Sequence, residues 1–371
     1  MAWLSAHSAH SAHSAHSAHS AHSAHGGGNG ADLPSYSAQV PHLTLVEAML
    51  RHQGYSVTVT PPAPRAAGEV HLPWPGGADG LPGKDAGERR FERATADVRA
   101  LVIATELMPL LKLGPVDDPA APVTLSMDAT ELLTLVRPGY EIFSRQIDAL
   151  ITMANTERYA RAPEIVTQVH TPQAQWSAIT GMRADTHRWT FEFLDIALDL
   201  TLAILMRFKH AFLCPRPFEY SPWIQPLIQT PGHDSWPSGH ATESMLTAVL
   251  LGRLAGADRG RPQARVKTEL LDLALRIGAN REYAGLHFPI DSVAGRILGA
   301  TIADYLVELC DGEAEYFQAR HFAPVLTELD NIMSLPVDRL LEYCAVKEER
   351  MSRPAVPRLK LIWSMAKGEW K

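Results

Sequence analysis

The sequence predicts an all-α fold, a helical bundle with a small irregular or hairpin N-terminal region. The first observation behind it is that apolar residues recur at helical spacing from Glu88 onward. The second is that four or more long helical segments can be placed in the C-terminal half. The third is composition: 46% of the residues are hydrophobic and 20% are charged, so the chain can bury a sizeable core.

The first 90 residues are not expected to join the bundle. Residues 6–25 repeat Ala-His-Ser and lead into a glycine-rich stretch, so we interpret residues 1–35 as a disordered His-rich tail or a purification tag. Its seven histidines could hold metal ions only loosely. Residues 36–90 are predicted to be irregular, because residues 54–62 alternate weakly, as in a hairpin strand, and Leu72 to Gly87 is rich in Pro and Gly. The predicted helical domain covers residues 91–371.

Helical spacing predicts the first elements of that domain. Apolar residues between Phe91 and Leu111 indicate a helix. A second helix is expected to start near Asp128, where Glu131 would complete a capping box. A third helix is predicted from Tyr140 to about Ala160.

The C-terminal half is predicted to hold the longest helices, with shorter ones to the end of the chain. They are expected near residues 185–213, 238–254, 265–279 and 289–311. Gly295 and Gly299 lie one turn apart in the last of these. A pair of glycines at that spacing would let a neighbouring helix approach closely.

Charge and composition argue against several functional classes. The formal net charge of -7 disfavours general nucleic-acid binding, because phosphate backbones reward clustered Lys and Arg. The chain shows neither an uncharged apolar run of about 18 residues nor a cationic leader with an apolar core, so no membrane span or secretory signal is expected. The three cysteines show no disulfide or zinc spacing. The expected location is the cytoplasm.

Three short segments carry side chains suited to binding an oxyanion. In the first, six residues separate Lys209 from Arg216; the second is Pro237-Ser238-Gly239-His240; the third runs from Asn280 to Asp291. Each segment alone is typical of an ordinary helix end. All three in this order and at this spacing are hard to explain by coincidence.

The cations in these segments suit a tetrahedral anion. The guanidinium groups of Arg216 and Arg281 present a rigid fork that matches its oxygens, and Lys209 adds a point charge. Ser238 and Gly239 fall at a predicted helix N-terminus, where free backbone N–H groups favour an anion. Together they predict a site for phosphate or vanadate.

Two histidines would complete the site. His287 lies four residues before Asp291, and a carboxylate at that spacing could accept the Nδ1 proton and leave Nε2 free to attack or ligate. His240 follows the glycine directly and is placed to move protons to and from the anion. A passive anion receptor would need neither His240 nor Asp291.

These segments resemble the signature of the vanadium haloperoxidase and type 2 phosphatidic acid phosphatase superfamily, which is K-x6-RP, then PSGH, then SR-x5-H-x3-D. Every position matches except Asn280, which stands where the phosphatases usually have Ser. The resemblance covers residues 209–291 and implies the helical bundle of that superfamily from about residue 90 onward. The N-terminal 90 residues are not covered.

The resemblance implies one of two chemistries. In the haloperoxidases, the residue that matches His287 is the one covalent protein ligand of vanadate. The residues that match His240 and Lys209 assist the deprotonation of hydrogen peroxide and polarise the bound peroxide. The halide is then oxidised to hypohalous acid. In the soluble acid phosphatases, His287 would form a phosphohistidine, His240 would protonate the leaving group, and Asp291 would orient the nucleophile. Phosphate can occupy the vanadate site. The remaining residues implied to bind the anion's oxygens are Arg216, Ser238, Gly239 and Arg281.

Three features favour the haloperoxidase: the expected solubility, the chain length and His233. His233 resembles the histidine that the algal bromoperoxidases have at this position, where the fungal chloroperoxidase has Phe. The resemblance therefore implies bromide and iodide as the halides. His233 could instead be a loop histidine that caps a turn. The implied partners are hydrogen peroxide, halide and an organic acceptor, or a phosphate ester for the alternative phosphatase. Relatives form dimers and larger assemblies, so the resemblance also allows a homo-oligomer.

Overall fold

The computed structural model describes residues 86–169, 172–255, 263–326 and 337–371. The His-rich tail and the hairpin strand predicted at residues 54–62 lie outside these ranges. Within them, residues 86–99 and residues 100–371 belong to separate compact units. The candidate site falls in the second unit.

Helices make up most of the described chain, and the four long helices predicted in the C-terminal half are present. Within the described ranges we find no helix that could serve as a membrane span. The helices are α1 Ala86–Arg93, α2 Ala96–Leu107, α3 Tyr140–Thr156, α4 Arg158–Thr167, α5 Gln173–Thr180, α6 Arg188–Phe212, α7 Pro217–Tyr220, α8 Gly239–Leu254, α9 Gln263–Tyr283, α10 Pro289–Asp311, α11 Val337–Leu341 and α12 Pro357–Gly368.

The prediction of an all-α fold is wrong, because the chain also forms a five-stranded mixed sheet. Strands β3 and β4 pair in parallel, with Leu133 opposite Arg320, and the other neighbouring strands are antiparallel. Local periodicity carries no information about a pairing between residues so far apart in the chain. The strands, in their spatial order, are β1 Leu111–Gly114, β2 Val123–Met127, β3 Thr130–Leu135, β4 Tyr316–Phe322 and β5 Ala345–Arg350.

The helix predicted at Asp128 is in fact the turn between β2 and β3. Asp128 has a φ of 53°, in the left-handed region that short polar side chains tolerate best. Its carboxylate accepts a hydrogen bond from the Ser352 hydroxyl instead of capping a helix. Alternate residues of β2 are buried, the period expected of a strand. The capping-box pattern was therefore misleading.

Close packing of α8 against α10 positions the site. A Cβ atom on Gly295 would lie 2.6 Å from the carbonyl oxygen of Ser238, and one on Gly299 would overlap the carbonyl oxygen of Thr242. The close approach predicted from these two glycines is therefore confirmed. It brings the first turn of α8 against the first half of α10.

The long helix α6 is held at its N-terminus by a carboxylate. Glu369 accepts hydrogen bonds of 2.8 Å from the backbone N–H groups of Trp189 and Thr190. A negative charge at that end is favourable because the helix dipole is positive there. Further along α6, the ring of Phe193 packs 4.8 Å from that of Trp363 on α12. These contacts fix the helix whose last turn carries Lys209.

Candidate oxyanion-binding site

Lys209 lies in the last turn of α6 and is almost fully buried. Its Nζ donates hydrogen bonds of 2.8 Å to the carbonyl oxygens of Asp234 and Ser235. Burial, together with the nearby charge of Arg216, holds the pKa of the Lys209 ammonium well below its ordinary value. The loop before α8 is thereby tied to the end of α6.

Arg216 precedes α7 and joins two of the three segments. Its Nε donates to the carbonyl oxygen of His233 at 3.0 Å, and its Nη1 donates to the carbonyl oxygen of Leu286 at 3.0 Å. Its Nη2 lies 3.1 Å from Nδ1 of His233. Burial lowers the pKa of Arg216 to about 10, so the guanidinium is charged at neutral pH.

Ser238 is the N-cap residue of α8, directly before Gly239. Its backbone N–H donates to the carbonyl oxygen of Asp291 at 2.9 Å, and its buried Oγ has no hydrogen-bond partner within the described part of the chain. The next N–H groups, starting at Gly239, are at the helix end that attracts anions. His240 is half-buried in this first turn, with Nε2 3.2 Å from the carbonyl oxygen of Gln168.

Arg281, in the last turn of α9, is fully buried. Its Nη2 donates to the carbonyl oxygen of Ile165 at 2.9 Å, while Nε and Nη1 have no acceptor among the residues that the structure describes. Burial lowers its pKa to about 10, so these donors belong to a charged group at neutral pH. The oxygens of an anion would satisfy these two donors of a buried cation.

His287 and Asp291 form a buried pair. Nδ1 of His287 lies 3.1 Å from Oδ2 of Asp291, and Nε2 lies 3.4 Å from Nη1 of Arg216. Burial holds the pKa of His287 well below its ordinary value, and the charges of Arg216 and Lys209 act in the same direction. Burial also raises the pKa of Asp291, to about 6. At neutral pH the pair is a neutral imidazole beside a carboxylate.

The predicted site residues from all three segments converge. Lys209 contacts the loop that precedes α8, Arg216 contacts His287, and the N–H of Ser238 contacts Asp291. His240 and Arg281 both contact Gln168, which links the start of α8 to the end of α9. The roles assigned to these residues stay predictions.

His233 lies against this group through its contact with Arg216. Its Nδ1 is also 3.2 Å from the carbonyl oxygen of the next residue, Asp234. The first contact fits a functional imidazole, and the second fits a histidine that orders its own loop.

Two residues that contact the site were not identified from the sequence. Gln168 directly follows α4, and its Oε1 accepts a hydrogen bond of 2.9 Å from Nδ2 of Asn280. Asn280 therefore has a structural contact in this protein. Ser235 contacts both His287 and Asp291. Ser235 could have been suspected from its place three residues before Ser238. Gln168 lies in none of the motifs, and the sequence carries no signal for it.

The donor set suits an oxyanion and not a metal cation. Its unsatisfied buried groups include the Ser238 hydroxyl and two N–H groups of Arg281, beside one carboxylate oxygen, Oδ1 of Asp291. In the described ranges, no group of three or more His, Cys, Asp or Glu side chains could hold a metal cation. A tetrahedral phosphate or vanadate matches this chemistry because its oxygens accept hydrogen bonds.

Comparisons with known proteins agree with the motifs. Residues 193–310 match the PAP2 superfamily, and this segment contains all three motif segments. A vanadium-dependent bromoperoxidase of Ascophyllum nodosum is 31% identical over 94 residues, which cover 20% of this chain and 17% of that protein. The superfamily suggested by the motifs is therefore confirmed for this segment. The match spans less than a fifth of the length of the bromoperoxidase.

Proposed function

We propose that this chain, whose residues 193–310 match the PAP2 superfamily, is a vanadate-dependent haloperoxidase. Members of this superfamily are phosphatases or haloperoxidases, and the finer assignment is bromide or iodide oxidation by hydrogen peroxide to hypohalous acid. The observation that carries it is the contact of His233 with Arg216, 3.1 Å between Nδ1 and Nη2. The similarity to a bromoperoxidase supports it further.

The residues that would hold vanadate are those with unsatisfied or charged donors. Nε2 of His287 would be the ligand to the metal, and the side chains or N–H groups of the other site residues would bind its oxygens. Bound vanadate would supply a Lewis acid that activates hydrogen peroxide without a redox change of the metal. The residues that would bind the oxygens are Lys209, Arg216, Ser238, Gly239 and Arg281.

The chain's own groups have separate tasks in this proposal. His287, as a neutral imidazole, offers the Nε2 lone pair while Nδ1 keeps its proton towards Asp291. His240 is half-buried at the start of α8, where it can take a proton from hydrogen peroxide and return one to the product. Lys209 and the two arginines offset the negative charge that builds up on the oxygens.

A phosphatase is the second candidate, because the same lone pair suits attack on phosphorus. The Nε2–P bond would form as the ester P–O bond breaks, and His240 would give its proton to the leaving alkoxide. Water would then cleave the phosphohistidine and release phosphate. The lone pair on Nε2 of the buried His287–Asp291 pair favours this candidate.

The test compares the two reactions on the same preparation. Protein incubated with orthovanadate should brominate phenol red in the presence of bromide and hydrogen peroxide, and inorganic phosphate should inhibit by competing for the site. Without vanadate, p-nitrophenyl phosphate hydrolysis should be slow. Absence of bromination at every pH from mildly acidic to neutral, together with rapid hydrolysis that vanadate blocks, would establish the phosphatase instead.

A further inference from the structure

Ser235 lies at the centre of the site although it belongs to none of the three motifs. It is fully buried, and its backbone N–H donates to the carbonyl oxygen of Cys214 at 2.8 Å. Its own carbonyl oxygen accepts from Nζ of Lys209 at 2.8 Å. The backbone of Ser235 is thus held in place by the segment that carries Lys209 and Arg216.

The side chain of Ser235 points at the His287–Asp291 pair. Its Oγ donates a short hydrogen bond to Oδ2 of Asp291 and lies 3.2 Å from Nδ1 of His287. Oδ2 also accepts from the backbone N–H of Phe288 at 3.0 Å. The carboxylate oxygen is therefore held by two donors besides the imidazole.

The direction of these hydrogen bonds decides which ring nitrogen of His287 carries the proton. Asp291 can only accept when ionised, and the Ser235 hydroxyl hydrogen is already given to Oδ2. Nδ1 therefore faces two acceptors, and the Nδ1–H form satisfies them. On the other side of the ring, Nη1 of Arg216 lies 3.4 Å from Nε2, a long contact in which the guanidinium can only donate and which therefore favours the lone pair there.

We infer that Ser235 is a positioning residue that holds His287 in the Nδ1–H tautomer by fixing the Asp291 carboxylate and accepting from Nδ1. This inference rests on the proposed function in one respect, namely that Nε2 of His287 is the atom that contacts the anion. The tautomer itself exists in the free protein. A ligating or attacking Nε2 must be unprotonated, so loss of this control would weaken anion binding.

The experiment measures the tautomer directly in the protein without added anion. Long-range ¹H–¹⁵N correlation spectra of histidine-labelled protein distinguish the two tautomers, and the His287 signals are identified by their loss in His287→Ala. We expect a single Nδ1–H form in the original protein and a mixture with the Nε2–H form in Ser235→Ala. Ser235→Thr, which keeps the hydroxyl, should restore the single form.

A second readout is the affinity for inorganic phosphate, measured by calorimetry. Ser235→Ala should bind phosphate about tenfold more weakly, the ordinary effect of one lost hydrogen bond, and Ser235→Thr should recover most of it. Ser238→Ala is the matched control, because it removes another buried hydroxyl of the site but has no contact with the His287 ring in the described structure. It should weaken phosphate binding and leave the tautomer unchanged.

Two outcomes would overturn the inference: a pure Nδ1–H form in Ser235→Ala, or a tautomer change of the same size in Ser238→Ala. If Ser235→Ala fails to fold, Ser235→Cys provides the comparison, since a thiol of similar size is a much weaker donor. Neither readout involves turnover. A failure to oxidise halide would thus contradict the proposed function and leave the inference about Ser235 intact.

Discussion

The backbone N–H of Ser238 donates to the carbonyl oxygen of Asp291 at 2.9 Å, and this hydrogen bond joins the first turns of two helices. One helix, α8, offers its N-terminal N–H groups, and the other, α10, begins just after His287. The glycine contacts between the same two helices keep them close. The end of α8 that favours anions is therefore held next to the imidazole.

Replacing His287 with Ala should remove both vanadate retention and turnover, because the imidazole proposed as the ligand to the metal is lost. The vanadium content after dialysis and the bromination rate measure the two effects. His210→Ala is the matched control, since His210 is an exposed histidine next to Lys209 on α6. The control should behave as the original protein. Retained vanadate in His287→Ala would show that the anion is held without a covalent bond.

Arg281→Ala should weaken phosphate binding by roughly 2 to 5 kcal/mol, the usual cost of removing one member of a buried charge pair. The fully buried guanidinium has two donors available for the anion. Arg265→Ala serves as the control, because this arginine lies on the same helix α9 but pairs with Glu269 at an exposed position. Calorimetric titration with phosphate measures the affinity of both variants. Equal losses in the two variants would contradict a local role for Arg281.

His233→Phe should lower the rate of bromide oxidation at least about tenfold, since an imidazole that exchanges protons near the anion is lost. Phosphate affinity should change less than about threefold, because Arg216 keeps its hydrogen bonds to two carbonyl oxygens. Steady-state kinetics and calorimetry separate these effects. His321→Phe, at an exposed position on β4, controls for the added ring. An unchanged bromide rate in His233→Phe would favour the turn-capping interpretation.

Gly299→Ala should destabilise the protein by about 1 to 3 kcal/mol, because the new Cβ would overlap the Thr242 carbonyl oxygen and push α8 from α10. Gly252→Ala is the control within α8. Its Cβ would meet only Cγ of Lys267 at 3.7 Å, so the variant should be stabilised by roughly 0.5 to 1 kcal/mol. Urea unfolding measures both changes. A stable Gly299→Ala variant would mean that the two helices can separate without cost.

Glu282, on α9, should make stability depend on pH. Burial raises the pKa of its carboxyl group to about 7, and the Ser292 side chain and the charge of Arg296 offset part of this rise. The folded protein then keeps a proton that the unfolded chain releases at about pH 4.5. The free energy of unfolding contributed by this group is therefore fully present at low pH and is lost as pH rises through about 7.

Glu282→Gln should remove that loss. The variant should gain about 1 to 3 kcal/mol over the original protein at pH 8 and almost nothing near pH 4. Urea unfolding of both proteins across this range measures the difference. Because the other groups titrate alike in the variant and the original protein, their contributions to the free energy of unfolding cancel in the difference. A difference that does not vary with pH would contradict the raised pKa.

Most residues of the candidate site could be named from the sequence, and their roles stay predictions. Side-chain type and spacing along a helix are local properties, so Lys209, Arg216 and the Ser238–His240 turn could be predicted to form one site from their order and spacing. Gly295 and Gly299 predicted a close helix contact for the same reason. The four long C-terminal helices followed from their periodicity.

The sheet and the supporting contacts were decided by tertiary structure. The pairing of β3 with β4 and the turn at Asp128 depend on residues far along the chain, so a local capping pattern predicted the wrong element. Gln168 and Ser235 act through hydrogen bonds to distant segments. The sequence by itself determined which charged and hydrogen-bonding groups are available to the candidate site. Only the folded chain determined which of them are buried, unsatisfied and close together, because burial and distance arise from packing between separate segments.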